Sequence, residues 1–153
     1  MLNILYRSGN ILLKFKVPFA NILFKFLIRL ICNSVVEPKN QIGLGTKFAY
    51  GGISTVIHAK AVIGKNCIIG PNVVIGGRSK IKKVPRIGDN VYIGASAIII
   101  GDVKIGNSSI IGAGSVVTKN VPPSSIAKGN PAKIKKIEKK IKKFFIYFKE
   151  VFE

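Results

Sequence analysis

From Ile57 onward an aliphatic residue returns at every sixth position: Ile57, Ile63, Ile69, Ile75, Ile81, Ile87, Ile93, Ile99, Ile105, Ile111 and Val117. The next position is usually glycine, as at Gly64, Gly70, Gly76, Gly88, Gly94, Gly106 and Gly112. Four places after each aliphatic the residue is mostly small or compact, as at Ala61, Cys67, Ala97 and Ser115. A helix would repeat its apolar face every 3.6 residues and would not carry glycine throughout. Alternate residues of a strand face opposite sides, so a short strand and a glycine-assisted corner make one flat side. Three such sides close a triangular coil of about 18 residues. Residues one coil apart then stack in interior ladders: Ile57/Ile75/Ile93/Ile111, Ile63/Ile81/Ile99/Val117 and Ile69/Ile87/Ile105. Parallel pairing between coils leaves free edges only at the two ends. Each buried Ile contributes about 1.5–3 kcal/mol, so the repeat is the core.

Two segments break the pattern. Ile42 to Ile57 is longer than two repeats, so Phe48–Thr55 is expected to bulge outward. Between Ile75 and Ile87 the spacing holds, but Gly76–Pro85 is basic and lacks a glycine after Ile81. A loop leaving the coil is expected there, and insertions on repeat scaffolds are where binding residues are placed.

The flanks read differently. Residues 1–34 interleave Leu, Ile and Phe with Lys14, Lys16, Lys25 and Arg29, predicting one or two amphipathic helices broken near Pro18. Phe19–Cys32 is too short and too charged to span a membrane, and it lacks a signal peptide's uninterrupted apolar run. Such a helix either docks on the main domain or lies on an anionic membrane surface. Residues 35–132 hold the repeat domain. In residues 133–153, Ile134, Ile137, Ile141, Phe144, Phe148 and Val151 follow alternating three- and four-residue steps, predicting a C-terminal amphipathic helix. It packs on its own domain or a sister subunit, or contacts a membrane.

Composition narrows the function classes. The chain of 153 residues carries 25 Lys+Arg against 6 Asp+Glu, a net charge of +19, with 48% hydrophobic residues. One packed domain is expected, not a disordered chain. The basic excess points to nucleic acid, an anionic membrane or phosphate-bearing ligands, or to a codon-biased composition rich in Lys, Ile and Asn. No nucleic-acid motif or basic face with stacking aromatics is present. Cys32 and Cys67 are too few for a disulfide scaffold, which fits a reducing, cytoplasmic setting. With a single histidine, His58, no metal site is expected.

The run from Ile57 to Val121, its ending Ile111–Lys133 (IGAGSVVTKNVPPSSIAKGNPAK) and the pattern YGG…VIH…IGG…VP.IGDNVYIGA over Tyr50–Ala95 resemble the hexapeptide-repeat acyltransferases. The similarity is greatest to the serine acetyltransferase-related branch that includes sugar O-acetyltransferases of surface-polysaccharide clusters. The resemblance implies a mainly β, left-handed parallel β-helix and a homotrimer with active sites between neighbouring prisms. It also implies acetyl-CoA bound along the prism and a histidine that removes the acceptor's hydroxyl proton. His58 is the one residue of that type, and a neutral-pKa imidazole suits the transfer. It equally fits a surface corner where glycine normally stands. The serine enzymes' histidine falls near Tyr50, their acids at Val35 and Ala49, and a second histidine at Val84, which argues against serine as acceptor.

The same resemblance assigns Gly94, Ala95, Gly112 and Ala113 to the acetyl-CoA track. Ala95 and Ala113, eighteen residues apart, are expected on one column of adjacent coils, and with coils about 4.7–4.9 Å apart they are expected about 10 and 15 Å above His58. Those small residues fit a ligand's close approach and a tight corner equally well. Thr118 and Lys119 are expected at the adenosine end, with Lys133 and Lys136 on phosphates, and Tyr50, Gly76 and Arg78 near the acceptor. The leading expectation is acetyl transfer to a sugar hydroxyl. Serine O-acetylation, amino-sugar N-acetylation and a non-catalytic membrane-binding scaffold are the alternatives.

Overall fold

The structure, a computed structural model, describes residues 1–137. Two helices, α1 (Leu2–Lys14) and α2 (Ala20–Cys32), precede fourteen short strands. The helices turn at Phe15–Phe19 around Pro18, with Lys16 and Phe19 at positive φ. Gly9 lets them meet closely: a Cβ there would lie 2.9 Å from Phe24 Cβ.

The strands wind into a three-sided parallel solenoid. The first face stacks β1 (Gln41–Ile42), β4 (Val62–Ile63), β7 (Arg86–Ile87) and β10 (Lys104–Ile105). The second stacks β2 (Lys47–Phe48), β5 (Ile68–Ile69), β8 (Tyr92–Ile93), β11 (Ile110–Ile111), β13 (Ser125–Lys128) and β14 (Lys133–Lys136). The third stacks β3 (Val56–Ile57), β6 (Val74–Gly76), β9 (Ile98–Ile100) and β12 (Val116–Val117). Every pairing is parallel except β13 with β14. The hexad aliphatics from Ile57 to Val117 point inward and are buried, Ile81 excepted, so the repeat does build the core.

The ladders differ from the even stacking that the period predicts. Ile57 stacks on Ile75, but Ile75 stacks on Ile99 and Ile99 on Val117. Ile63 pairs with Ile87 and Ile69 with Ile93, so the expected Ile75–Ile93 and Ile63–Ile81 steps do not form. The cause is the expected loop: Gly77–Pro85 leaves the coil between the third and first faces and carries Ile81 into solvent at 41% exposure. A loop one hexad long keeps the sequence phase while setting every later residue one face back from the count. The other expected bulge forms at Ala49–Ser54, where Tyr50, Gly51, Gly52 and Ser54 all have positive φ.

Helix α1 closes the first coil. Its side chains donate to carbonyls that no lower coil reaches: Tyr6 Oη to Asn40 O at 2.7 Å, Arg7 to Gly43 O at 2.7 Å and Asn10 to Pro38 O at 2.9 Å. Leu2, Tyr6, Ile28 and Cys32 join the core, so the inner faces of the helices dock on the domain. At the far end, Lys133–Lys136 is not the start of a helix. It is β14, folded back antiparallel on Ser125–Lys128, whose backbone groups would otherwise end the second face unpaired. The rest of the expected C-terminal helix lies outside the described residues.

Candidate active site

The solenoid has three corners, and they sort the candidate residues. His58 follows β3, at the corner between the third and first faces, where Gly76, the loop with Arg78, then Ile100, Thr118 and Lys119 stand in the coils above. Tyr50 and the column of Gly94, Ala95, Gly112 and Ala113 occupy the corner between the second and third faces. The expected heights of Ala95 and Ala113 hold, since their coils lie two and three steps above that of His58. The two do share one column, with Gly114 N donating to Ala95 O at 2.9 Å, but that column is not over His58: one face separates them, about 15–20 Å at 3.3 Å per residue. The six-residue loop insertion causes this displacement.

His58 is exposed on a rigid base. Its backbone N–H donates to Ile75 O at 2.8 Å, and its carbonyl accepts from Ala61 N at 2.9 Å and Asn40 Nδ2 at 3.0 Å. Asn40 is buried and also accepts from Glu37 N at 2.7 Å, so it ties the His58 corner to the segment below. Sequence reasoning missed Asn40. Its only signal was a polar residue eighteen places before His58, one coil away. The imidazole Nδ1 accepts from Lys60 N at 3.1 Å. A neutral ring in this arrangement carries its proton on Nε2, so the basic nitrogen is Nδ1. A backbone N–H therefore holds the ring at Nδ1. Glu37 does not orient the ring: it pairs with Lys39 at 2.8 Å and Lys25 at 3.0 Å, and chiefly Lys39 holds its carboxyl below the usual carboxylate range.

The corner above His58 is lined by small residues. A Cβ on Gly76 would meet only Val74 and Ile100 side chains, at 3.8 and 3.9 Å, and one on Gly77 would sit 3.8 Å from Val84 and 3.9 Å from His58 Cδ2. Beside Val84 opens a groove of about 630 Å³ lined by Lys60, Lys82, Lys83, Arg86 and Lys104, with Asp102 the one acid, itself 3.3 Å from Lys83. At the top, Thr118, Lys119 and Lys133 line a smaller pocket of about 150 Å³ with Pro131 and Ala132. Lys136 lies at the other end of β14, opposite Ser125, and is not brought into that pocket.

At the other corner, packing accounts for the glycine. A Cβ on Gly94 would lie 2.5 Å from Ala113 N and 2.9 Å from its Cα, so the next coil's backbone leaves no room. Gly112 is less constrained, with Lys128 Cβ and Ser115 Oγ at 3.1 Å. Tyr50 is held in left-handed backbone (φ 50°, ψ 39°) and is 72% exposed, close enough to Tyr92 for the two phenols to interact electrostatically. Burial, and secondarily Tyr50, pushes the Tyr92 phenol up. Among the described residues no three His, Cys, Asp or Glu side chains come together as a metal site.

The coil is a left-handed β-helix of hexapeptide repeats. Residues 85–119 match the family model described as bacterial transferase hexapeptide (six repeats), and residues 60–79 match the hexapeptide repeat of succinyl-transferase. Within that class the chain is similar to solved serine acetyltransferases. A soybean enzyme complexed with serine is 36% identical with a TM-score of 0.77, covering 88% of this chain and 56% of that one. The Neisseria gonorrhoeae enzyme is 30% identical with a TM-score of 0.78, covering 94% and 57%. A serine acetyltransferase complexed with CoA is 28% identical with a TM-score of 0.76, covering 88% and 55%. This chain thus spans little more than half the length of those structures. No curated protein matches its sequence.

Proposed function

We propose that this protein is an acetyl-CoA-dependent O-acetyltransferase acting on a hydroxyl of a sugar in surface-polysaccharide synthesis. One observation carries the reading. His58, the small residues Gly76 and Gly77, and Thr118 and Lys119 share one corner, capped by the pocket that includes Lys133. Three coil steps separate His58 from Thr118, about 14 Å, a length an extended pantetheine arm spans. The similarity to a serine acetyltransferase complexed with CoA supports that donor.

In the reaction, the acceptor oxygen attacks the thioester carbonyl, the C–O bond forms and the C–S bond breaks. His58 takes the hydroxyl proton at Nδ1, exchanging Lys60 N–H for the acceptor, and returns it to the departing thiolate. Asn40 positions the His58 backbone. The cationic groove beside Val84 suits an acceptor bearing carboxylate or phosphate groups. A homotrimer brings the Gly94–Ala113 corner of a neighbouring copy against the His58 corner, which joins the two halves that one chain keeps apart. The site then works in the cytoplasm, where acetyl-CoA is made.

Serine O-acetylation is the second reading, favoured by the neighbouring structures and opposed by Tyr50, Val35, Ala49 and Val84 at the positions noted above. Release of free CoA from acetyl-CoA, measured with acidic oligosaccharides, neutral sugars and L-serine, separates them. His58→Ala and His58→Gln are both expected to lower the rate about 100-fold or more. Near-parent activity in the Gln variant would make His58 a hydrogen-bond donor and not a base. Absence of both CoA binding and CoA release sinks the enzyme reading.

A further inference from the structure

Helices α1 and α2 are apolar on two sides. Their inner faces pack on the first coil, as described. Their outer faces carry a second stripe on which no described residue packs closely enough to cover it: Ile4, Ile11 and Phe15 on α1, and Phe19, Ile22, Phe26 and Leu30 on α2. The two stripes meet at the turn, where Phe15 is 76% and Phe19 79% exposed. Isolated exposed apolar residues are ordinary, but a continuous set on one pair of helices marks an interaction surface.

Charge identifies the partner. Residues 1–36 contain Arg7, Lys14, Lys16, Lys25 and Arg29 and no Asp or Glu. Arg7 is turned inward onto Gly43 O and Lys25 pairs with Glu37 at 3.0 Å, so the cations left to the outer face are Lys14, Lys16 and Arg29. On α2, Arg29 projects along one flank of the Phe19–Phe26–Leu30 stripe, given 100° per residue. Lys14 and Lys16 bracket Phe15 at the turn. A second copy docked through this face would bring two all-cationic rims together, which opposes self-association. Among the described residues no helix is long and apolar enough to cross a membrane. An apolar stripe with a basic rim is the arrangement of a helix lying in the plane of a bilayer: the apolar side chains enter the acyl boundary and the cations meet lipid phosphates.

We propose that the outer face of the α1–α2 hairpin docks on an anionic lipid bilayer, with Phe15 and Phe19 inserting at the turn. The inference does not depend on the acetyltransferase reading. Neither helix contributes a residue to the His58 corner other than through Asn40's contact with Tyr6.

The test is co-sedimentation of the full chain with vesicles of phosphatidylcholine alone and of phosphatidylcholine with phosphatidylglycerol. Mass in solution is measured in parallel by light scattering. Binding is expected only with the anionic vesicles, weakening as salt rises. The triple variant F15S/F19S/F26S is expected to lose about tenfold or more in vesicle affinity, since each Phe removes a large apolar contact. Its thermal midpoint should match the parent, because none of the three is buried in the core. The proposal is overturned by no binding to anionic vesicles, by equal binding to neutral ones, or by a triple variant that binds like the parent. It is also overturned if the parent forms a larger assembly that the triple variant does not and neither binds lipid, which would make the face a contact between copies. Any of these results leaves the CoA-release assay unaffected.

Discussion

Excising Arg78–Lys83 should leave a fully folded solenoid. The two ends of the excised segment are near each other, a Cβ on Gly77 lying 3.8 Å from Val84 Cγ1, and the loop between them already doubles back through the Arg78–Ile81 bridge. Gly76 remains in β6 with its carbonyl on Gly101 N at 3.1 Å, and Pro85 O still accepts from Val62 N at 3.3 Å. The connection shrinks to about a third of its length, which lowers the closure cost by about 1 kcal/mol. Against that stands one exposed ion pair, Lys83–Asp102, worth under about 1 kcal/mol. The thermal midpoint, followed by circular dichroism, is therefore expected within about 4 °C of the parent. Acceptor-dependent CoA release should fall sharply, because the excision removes Lys82 and Lys83 from the groove. A midpoint lowered by more than about 10 °C, or a second transition, would refute the reasoning by showing that the loop holds the coils together.

Ile99→Ala empties a fully buried ladder position and should cost about 2–5 kcal/mol in denaturant unfolding, whereas Ile81→Ala, at an equivalent sequence phase, should change stability by under about 0.5 kcal/mol. Equal effects would restore the even ladder. Gly94→Ala should destabilise by about 1–3 kcal/mol through contact with the backbone at Ala113, and Gly112→Ala by clearly less, measured the same way. Glu37, with its pKa lowered chiefly by Lys39 and then Lys25, stabilises the fold above the pKa of an unfolded glutamate. That contribution disappears as pH falls through the folded value. Stability titrated against pH should lose this acid-side step, about 1 kcal/mol, in Glu37→Gln.

The solenoid was legible because its core consists of a single repeated choice, isoleucine at every sixth position, which no helix can use. The stacking order was not, and Ile81 shows why. A loop one hexad long preserves the period, so counting from Ile75 to Ile87 registers no insertion. The missing glycine after Ile81 and the run of lysines marked the loop but not its length. That one ambiguity moved the Gly94–Ala113 column to the wrong corner, while His58, Gly76, Thr118 and Lys119 fell on one corner together. Asn40 was invisible because its role depends on a contact one coil away. The turn of Lys133–Lys136 into a strand was hidden because a segment with Ile134 as its one apolar residue carries no period to distinguish strand from helix.

Strand β14 has a consequence for how the molecule behaves in a crowded solution. A stack of parallel coils is a ready template, and another chain's strand could in principle continue it indefinitely. Here the last described strand runs against the stack's direction and carries Lys133, Lys135 and Lys136, all exposed. An incoming strand would meet a reversed polarity and three like charges at once. Among the described residues, the fold built by repetition thus closes on a reversed, lysine-bearing strand, which disfavours continuation of the parallel stack by another chain.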